Sequence, residues 1–170
     1  QYQEMIAAYE EAGVNVYQIP AEAGLPYQVY ARDSSVMTPW GAIIMQMEKP
    51  FRRGEYAAVL RFYLEHGIPI YDIVSAGNVE GGDFMVLKPG VAICGYSGER
   101  SIEPAVNQLK NWFEAEGWEF MTYAFDPHFL HLDVQMGMIA EDLAVVCVEA
   151  VEPGLVDWLK SKQIRIMEIS

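Results

Sequence analysis

Acidic side chains and one histidine stand at the start of three predicted β-hairpins. Asp33 precedes the first hairpin, Glu80 and Asp83 precede the second, and His131 and Asp133 precede the third. Because these are equivalent points of a repeated unit, an arrangement of the units around an axis would bring the carboxylates together. Carboxylates that converge away from water need a positive partner. The pattern therefore predicts a site for a cation.

The elements that must position these residues form an internal repeat. At Gly13, Gly67, Gly117 and Gln163 a helical stretch gives way to an alternating apolar strand, and glycine is the usual residue after the end of a helix. Between these junctions lie hairpins with Pro, Gly or Asp in the turn. The unit is strand, strand, helix, strand. The sequence is interpreted as one incomplete domain with a helix–strand tail at 1–20 and repeats at 28–74, 77–126 and 130–170.

Composition limits the class of protein. The chain has 170 residues, of which 52% are hydrophobic, and this balance suits a compact globular domain. Its formal net charge of -13 argues against nucleic acid or an anionic membrane surface as a partner. No apolar run approaches the roughly 18 residues of a membrane span, and two cysteines are too few for a disulfide framework. We therefore expect a soluble, cytoplasmic protein.

Four short motifs follow one another along the chain: Arg-Asp at 32–33, Glu-Gly-Gly-Asp at 80–83, Gly-x-Ser-x-x-Arg-Ser at 95–101 and His-Leu-Asp at 131–133. In this order and spacing they resemble the guanidine-modifying superfamily of arginine deiminases, dimethylarginine dimethylaminohydrolases and arginine:glycine amidinotransferases. The resemblance implies an α/β fold, the pentein α/β-propeller, whose strand–strand–helix–strand repeats surround a pseudo-fivefold axis. The chain would hold about three and a half of the five repeats.

The resemblance also implies roles for individual residues. Asp33 and Asp133 would accept hydrogen bonds from a substrate guanidinium, whose planar fork of donors matches a carboxylate. His131 would act as acid and base, first protonating the departing amine and then activating water. Glu80 would either hold a third side of the cation or orient His131. Taken alone, Asp33 could instead form an Asx turn, Glu80 could belong to a flexible loop and His131 could be structural.

Two arginines bear on the choice of substrate. The chain has only 11 basic residues, so two of them at motif positions are informative. Under the same resemblance, Arg52 and Arg100 would bind the α-carboxylate of the substrate, which favours an amino acid over agmatine. The alternative is structural, because either Arg52 or Arg53 could pair with Glu55 where the following helix begins.

The implied reaction is cysteine-dependent hydrolysis of a guanidino C–N bond in arginine or a methylated arginine, which gives a citrulline-type product and ammonia or a methylamine. The nucleophilic cysteine of the family would lie beyond Ser170. Cys94 and Cys147 fall in apolar strands, where a free cysteine usually packs as a small hydrophobic residue. No metal and no organic cofactor are implied, and the chain by itself is expected to be inactive.

Partners and alternatives follow from the same interpretation. The expected partners are an arginine-like guanidino substrate and the missing C-terminal repeats of the same enzyme, and a homodimer is left open. The nearest alternative is amidino transfer to an amine, which would use the same residues. A non-catalytic module that binds arginine-like ligands and an acidic repeat domain with a structural role are further alternatives.

Overall fold

Three copies of one structural unit follow each other along the chain. The computed structural model describes residues 2–170, and each unit contains a three-stranded mixed sheet. The first two strands form an antiparallel hairpin, and the third strand runs parallel to the second. A helix connects the second strand to the third, as a parallel connection requires. The predicted order of strand, strand, helix, strand is confirmed in all three units.

The regular elements of residues 2–170 are four helices and nine strands. The helices are α1 (Tyr2–Glu11), α2 (Glu55–Glu65), α3 (Glu103–Ala115) and α4 (Pro153–Ser161). The strands are β1 (Ser35–Thr38), β2 (Gly41–Ile44), β3 (Ile70–Ile73), β4 (Phe84–Lys88), β5 (Val91–Tyr96), β6 (Glu119–Ala124), β7 (Met136–Ala140), β8 (Leu143–Cys147) and β9 (Arg165–Ile169). None of these helices is both long enough and apolar enough to cross a membrane.

Each helix is followed by a residue in the left-handed region of the backbone. Gly13, Gly67 and Gly117 have φ angles of 81°, 65° and 78°, and Gln163 has a φ angle of 62°. At every one of these sites the next amide donates to the carbonyl oxygen five residues earlier, which closes the end of the helix. All four predicted helix ends are therefore confirmed, and at Gly67, Gly117 and Gln163 a strand follows as predicted.

Two apolar cores join neighbouring units. The first contains Ile43 of the first unit together with Phe113 of the second, and the other contains Ile93 of the second unit together with Leu155 of the third. Burial of apolar surface is the main force that holds such elements together. Because each core is shared between two units, the units have fixed positions relative to each other.

The N-terminal tail differs from its prediction. Helix α1 forms, but the alternating segment at 14–19 lies in no strand. In the three units the equivalent segment pairs with the second strand of a hairpin, and within residues 2–170 no hairpin precedes α1. A strand without a neighbour leaves its amides and carbonyls unpaired, so the alternating pattern alone does not form one. Gln1, which belongs to the predicted tail, lies outside the described residues.

A 3₁₀ turn precedes each hairpin and carries the polar residues that the sequence singles out. The turns are Ala31–Asp33, Gly81–Asp83 and Leu132–Val134. The second turn contacts both the first and the third. The starts of the three hairpins therefore meet at one place, as the repeated pattern predicts.

Candidate active site

Two aspartates join neighbouring 3₁₀ turns through the backbone. Asp33 Oδ1 accepts a hydrogen bond from the Gly82 amide at 3.1 Å, and Asp83 Oδ1 accepts one from the Leu132 amide at 2.9 Å. Both aspartates are buried, and hydrogen bonds from amides stabilise a buried carboxylate. The second bond also holds His131, the neighbour of Leu132, against the second turn.

His131 lies between three carboxylates. Its Nδ1 is 3.2 Å from Asp83 Oδ2, and its Nε2 is 3.4 Å from Glu80 Oε2 and 3.9 Å from Asp33 Oδ1. Burial acts to lower the pKa of His131, but the hydrogen bond to Asp83 and the negative charges around the ring outweigh burial and raise the pKa. The imidazole is therefore held in a position where it can carry a proton near neutral pH.

Glu80 is fully buried. Its Oε1 accepts a hydrogen bond from the Glu48 amide at 3.0 Å, and its Oε2 accepts one from Arg100 Nη1 at 3.3 Å. Burial raises the pKa of Glu80, and the Glu48 amide and the charge of Arg100 only partly oppose this effect. Of the two roles predicted for Glu80, the contact with His131 favours the one in which it orients the ring.

Arg52 is not free at the mouth of the site. Its guanidinium is buried and binds Glu55 through two nitrogens, at 3.0 and 2.9 Å, while Nη1 donates to Asp33 Oδ2 at 3.0 Å. A third carboxylate, that of Glu80, lies 3.7 Å from Nη1. The structural alternative, a pair between Arg52 and Glu55, is thus what the chain forms. This arrangement disagrees with the expectation that Arg52 binds an α-carboxylate, because each of its three nitrogens already donates to a carboxylate of the chain.

Arg100 and Asp133 keep partial access to solvent. The Arg100 side chain is 20% exposed, and Asp133 Oδ2 pairs with Arg32 Nε at 3.1 Å. Burial raises the pKa of Asp133, against which the charge of Arg32 and then that of His131 act. The positive charges of Arg32 and His131 therefore do not fully offset the effect of burial on the ionised form of Asp133.

Sequence reasoning gave no role to two residues that the structure places in the site. Asp83 is fully buried, and its Oδ2 accepts a hydrogen bond from the Ser101 hydroxyl while it faces His131. Arg32 reaches Asp133 from the first unit. Both belong to the recognised motifs, so the signal was present in the sequence. Their partners lie in other units, and these contacts become visible only when the units are docked.

A cavity of about 860 Å³ opens beside these groups. Part of its lining is aromatic and aliphatic, and the basic and acidic lining residues are Arg32, Asp33, Lys49, Arg52, Arg100, His131 and Asp133. Pockets of this size are typical of sites for small molecules, in which a few polar groups fix the orientation of the ligand. The apolar lining residues are Met5, Tyr9, Tyr27, Val29, Tyr30, Phe51 and Leu130.

The chain is similar to known proteins over its whole length. The family model described as N,N dimethylarginine dimethylhydrolase, eukaryotic, matches residues 1–170. The chain belongs to this family. One relative, the uncharacterized protein YkgA of Bacillus subtilis (strain 168), is 28% identical over 169 residues, which are 99% of this chain and 57% of YkgA. The chain thus spans little more than half of this curated relative.

Solved structures show the same fold. A dimethylarginine dimethylaminohydrolase from Pseudomonas aeruginosa, a cysteine-to-serine mutant complexed with citrulline, has a TM-score of 0.82 at 22% identity, over 99% of this chain and 64% of that one. AgrE, a cysteine-to-alanine mutant in complex with L-arginine, has a TM-score of 0.86 at 18% identity, over 100% of this chain and 26% of that one. These similarities confirm the predicted pentein-type α/β fold of the chain.

Asp33, Glu80 and His131 also have the spacing of a metal site, since one ligand atom from each lies within 4.8 Å of the others. In this family member, however, the guanidinium of Arg52 binds Asp33, and that of Arg100 binds Glu80. The positive charge that the converging carboxylates need is thus supplied by side chains of the chain itself.

Among the described residues, the two cysteines lie apart from the cavity. Cys94 is fully buried in β5, and burial raises the pKa of its thiol well above the ordinary range. The negative charge of Asp83 raises this pKa further, by a smaller amount. Cys147 lies at the end of β8. Neither thiol belongs to the lining of the 860 Å³ cavity in the part of the chain that the structure describes. A thiol must become a thiolate to act as a nucleophile, and the surroundings of Cys94 oppose this.

Gly82 gives a direct test of the position of the ring. A Cβ atom on Gly82 would lie 2.8 Å from Cγ and 2.9 Å from Cδ2 of His131, so Gly82→Ala must move the imidazole. A displacement of about 1 Å can lower turnover roughly a hundredfold, and we expect a decrease of this order in kcat of the complete protein. Gly154→Ala is the matched control, because nothing lies within 4 Å of its Cβ. Equal kcat values for the two variants would contradict the expected role of the ring.

Proposed function

We propose that the protein containing this chain hydrolyses a guanidino C–N bond of arginine or a methylated arginine, with a citrulline-type product and ammonia or a methylamine as the second product. The observation that carries the proposal is the placement of His131, with Asp83 at Nδ1 and Glu80 at Nε2, beside a cavity that Asp33 and Asp133 also line. Membership of the dimethylarginine dimethylhydrolase family supports it.

The reaction needs a nucleophile, a proton donor and a base. A cysteine thiolate attacks the guanidino carbon, and the C–N bond then breaks as His131 donates a proton to the departing amine. In the second half, neutral His131 takes a proton from water, whose oxygen attacks the thiouronium carbon and releases the cysteine. The raised pKa of His131 suits the first half, because the ring then enters the reaction with its proton.

The nucleophile is assigned to a cysteine outside this chain, as the family resemblance implies. Two properties of the described residues support this assignment: Cys94 is buried with a raised pKa, and neither it nor Cys147 lines the cavity. We propose further repeats of the same enzyme as the source of this cysteine and the cytoplasm as the compartment.

The arginines that line the cavity decide which group of the substrate, apart from its guanidinium, can be bound. With Arg52 held by buried carboxylates, the α-carboxylate is assigned to Arg100, whose side chain is partly exposed and bound to Glu80 by one nitrogen at 3.3 Å. An amino acid therefore remains the proposed substrate class, in preference to agmatine. Glu80 is proposed to orient the ring of His131.

Asp133→Asn tests the binding of the guanidinium. The variant loses a charged acceptor in a partly desolvated place, so we expect KM of the complete protein for arginine to rise about ten- to a hundredfold. The control is Asp142→Asn, which removes an exposed carboxylate that pairs with Arg165 and is expected to leave KM unchanged.

The same assay separates the alternatives. Formation of a ureido product from arginine or N-methylated arginines supports hydrolysis, whereas a product that appears only with an added acceptor amine indicates amidino transfer. Binding of arginine by the complete protein without either product indicates a binding module. An unchanged KM in Asp133→Asn would contradict the role of this carboxylate.

A further inference from the structure

Arg32 forms an ion pair with Asp133, the carboxylate that is proposed to bind the substrate guanidinium. Its Nε lies 3.1 Å from Asp133 Oδ2, and its Nη2 donates to the carbonyl oxygen of Phe84 at 3.1 Å. The side chains of Arg32 and Asp133 are 55% and 34% exposed. A guanidinium of the chain itself therefore pairs with one oxygen of a carboxylate that is proposed to bind the substrate guanidinium.

The pair of Arg32 and Asp133 is exchangeable, in contrast to the other guanidinium of the site. Arg52 binds Glu55 through two nitrogens and Asp33 through a third, all of them buried. Arg32 meets Asp133 through one nitrogen in a half-exposed pair, and such pairs contribute little to stability. A ligand can therefore displace Arg32 at low cost, whereas Arg52 stays in place.

The surroundings leave room for a displaced side chain. Arg32 and Asp133 line the 860 Å³ cavity and also a second cavity of about 570 Å³. The second cavity lies between the first strands of the three hairpins, where Met37, Val86 and Met138 contribute to its lining. The ion pair thus lies between two cavities, and the second cavity offers space for the side chain of Arg32.

We propose that Arg32 is a built-in competitor for Asp133, which pairs with this carboxylate when the site is empty, yields it to a substrate guanidinium and returns when the product is neutral. The inference rests on the proposed function. A partly desolvated carboxylate needs a positive partner. Substrate supplies one, but the ureido group of a citrulline-type product does not, so the return of Arg32 favours release of product.

The test measures binding in the complete protein. KM for arginine and Kd for citrulline are determined for the wild type and for Arg32→Ala, Arg32→Lys, Asp133→Asn and the double variant of Arg32→Ala with Asp133→Asn. We expect both constants to fall by the same factor, about two- to fivefold, in Arg32→Ala, because the competitor of an exposed pair is removed. Arg32→Lys keeps the charge and is expected to show a smaller decrease.

The double variant identifies the cause. In the Asp133→Asn background, Arg32→Ala is expected to change neither constant, since the two side chains act as one pair. Arg165→Ala removes an exposed arginine that pairs with Asp142 and serves as the control, with no change expected.

Two results would overturn the inference while leaving the proposed function intact. One is an increase or no change of KM in Arg32→Ala, which would show that Arg32 supports Asp133 or does not compete. The other is a decrease of equal size in the Asp133→Asn background, which would show a general effect of charge. A wild-type protein that binds neither arginine nor citrulline would overturn the proposed function and this inference together.

Discussion

Replacement of His131 by asparagine is expected to lower kcat of the complete protein for arginine by about 10²–10⁴-fold. The ring touches Asp83 through Nδ1 and Glu80 through Nε2, and no other histidine lines the cavity within the described residues. Asparagine has a similar shape but cannot accept and return a proton near neutral pH. The measurement is the rate of ureido product formation at saturating arginine.

His66→Asn is the matched control for this prediction. His66 is exposed, its Nδ1 lies 2.8 Å from the carbonyl oxygen of Phe62, and its replacement is expected to leave kcat unchanged. Normal turnover in His131→Asn would mean that another group moves the protons. A substrate Kd that stays near the wild-type value would show that the loss lies in the chemical step.

The pH dependence of stability provides a second readout for His131. Its pKa in the folded chain lies above the ordinary value of 6.5, so the protonated ring contributes stability that is fully present below pH 6.5 and is lost as the pH rises through the folded pKa. The free energy of unfolding should therefore decrease over this interval in the wild type and change less in His131→Asn.

Arg52→Met is expected to reduce the free energy of unfolding by about 3–5 kcal/mol. Methionine fills part of the space but leaves Glu55, Asp33 and Glu80 without the guanidinium that lies within 4 Å of all three. Glu55 and Glu80 are almost fully buried, so water cannot replace the lost partner at these two carboxylates. Urea unfolding at neutral pH measures the effect, and the difference should shrink in acid, where the carboxylates bind protons.

Arg61→Met is the control for this substitution. Arg61 pairs with Glu22 at 3.1 Å, and both side chains are well exposed, so the expected change is below about 1 kcal/mol. A change of the same small size in Arg52→Met would contradict the view that Arg52 holds the carboxylates of the site together.

The sequence predicted the units well because local signals mark their boundaries. Gly67 and Gly117 adopt the positive φ angles that end α2 and α3, and the hairpins follow from turn residues between alternating segments. The segment at 14–19 shows the limit of this reasoning, since it has the pattern of a strand but forms none. An alternating apolar pattern shows that a segment could be a strand. Whether a second strand lies beside it to form hydrogen bonds depends on the folded chain.

The site was predictable in its residue types but not in its internal pairing. The sequence brings Asp33, Glu80 and His131 to equivalent points, and the structure places them together. It does not tell which of two consecutive arginines turns inward. Arg52 ends the 3₁₀ turn Pro50–Arg52 and is buried, whereas Arg53 donates to backbone carbonyl oxygens nearer the surface. Which of the two arginines turns inward depends on how the 3₁₀ turn packs against the rest of the first unit.

The Gly82 amide donates to Asp33 and the Leu132 amide donates to Asp83, which links the geometry of the candidate site to folding. Both aspartates are anchored to the backbone of the neighbouring unit, so this part of the site forms only when the units dock. The packing of the two apolar cores, rather than the binding of a ligand, offsets the repulsion between the carboxylates that surround the imidazole. We therefore expect the proposed substrate to meet acceptors that are already oriented, and preorganisation of this kind would spare the proposed reaction a large reorganisation of its surroundings.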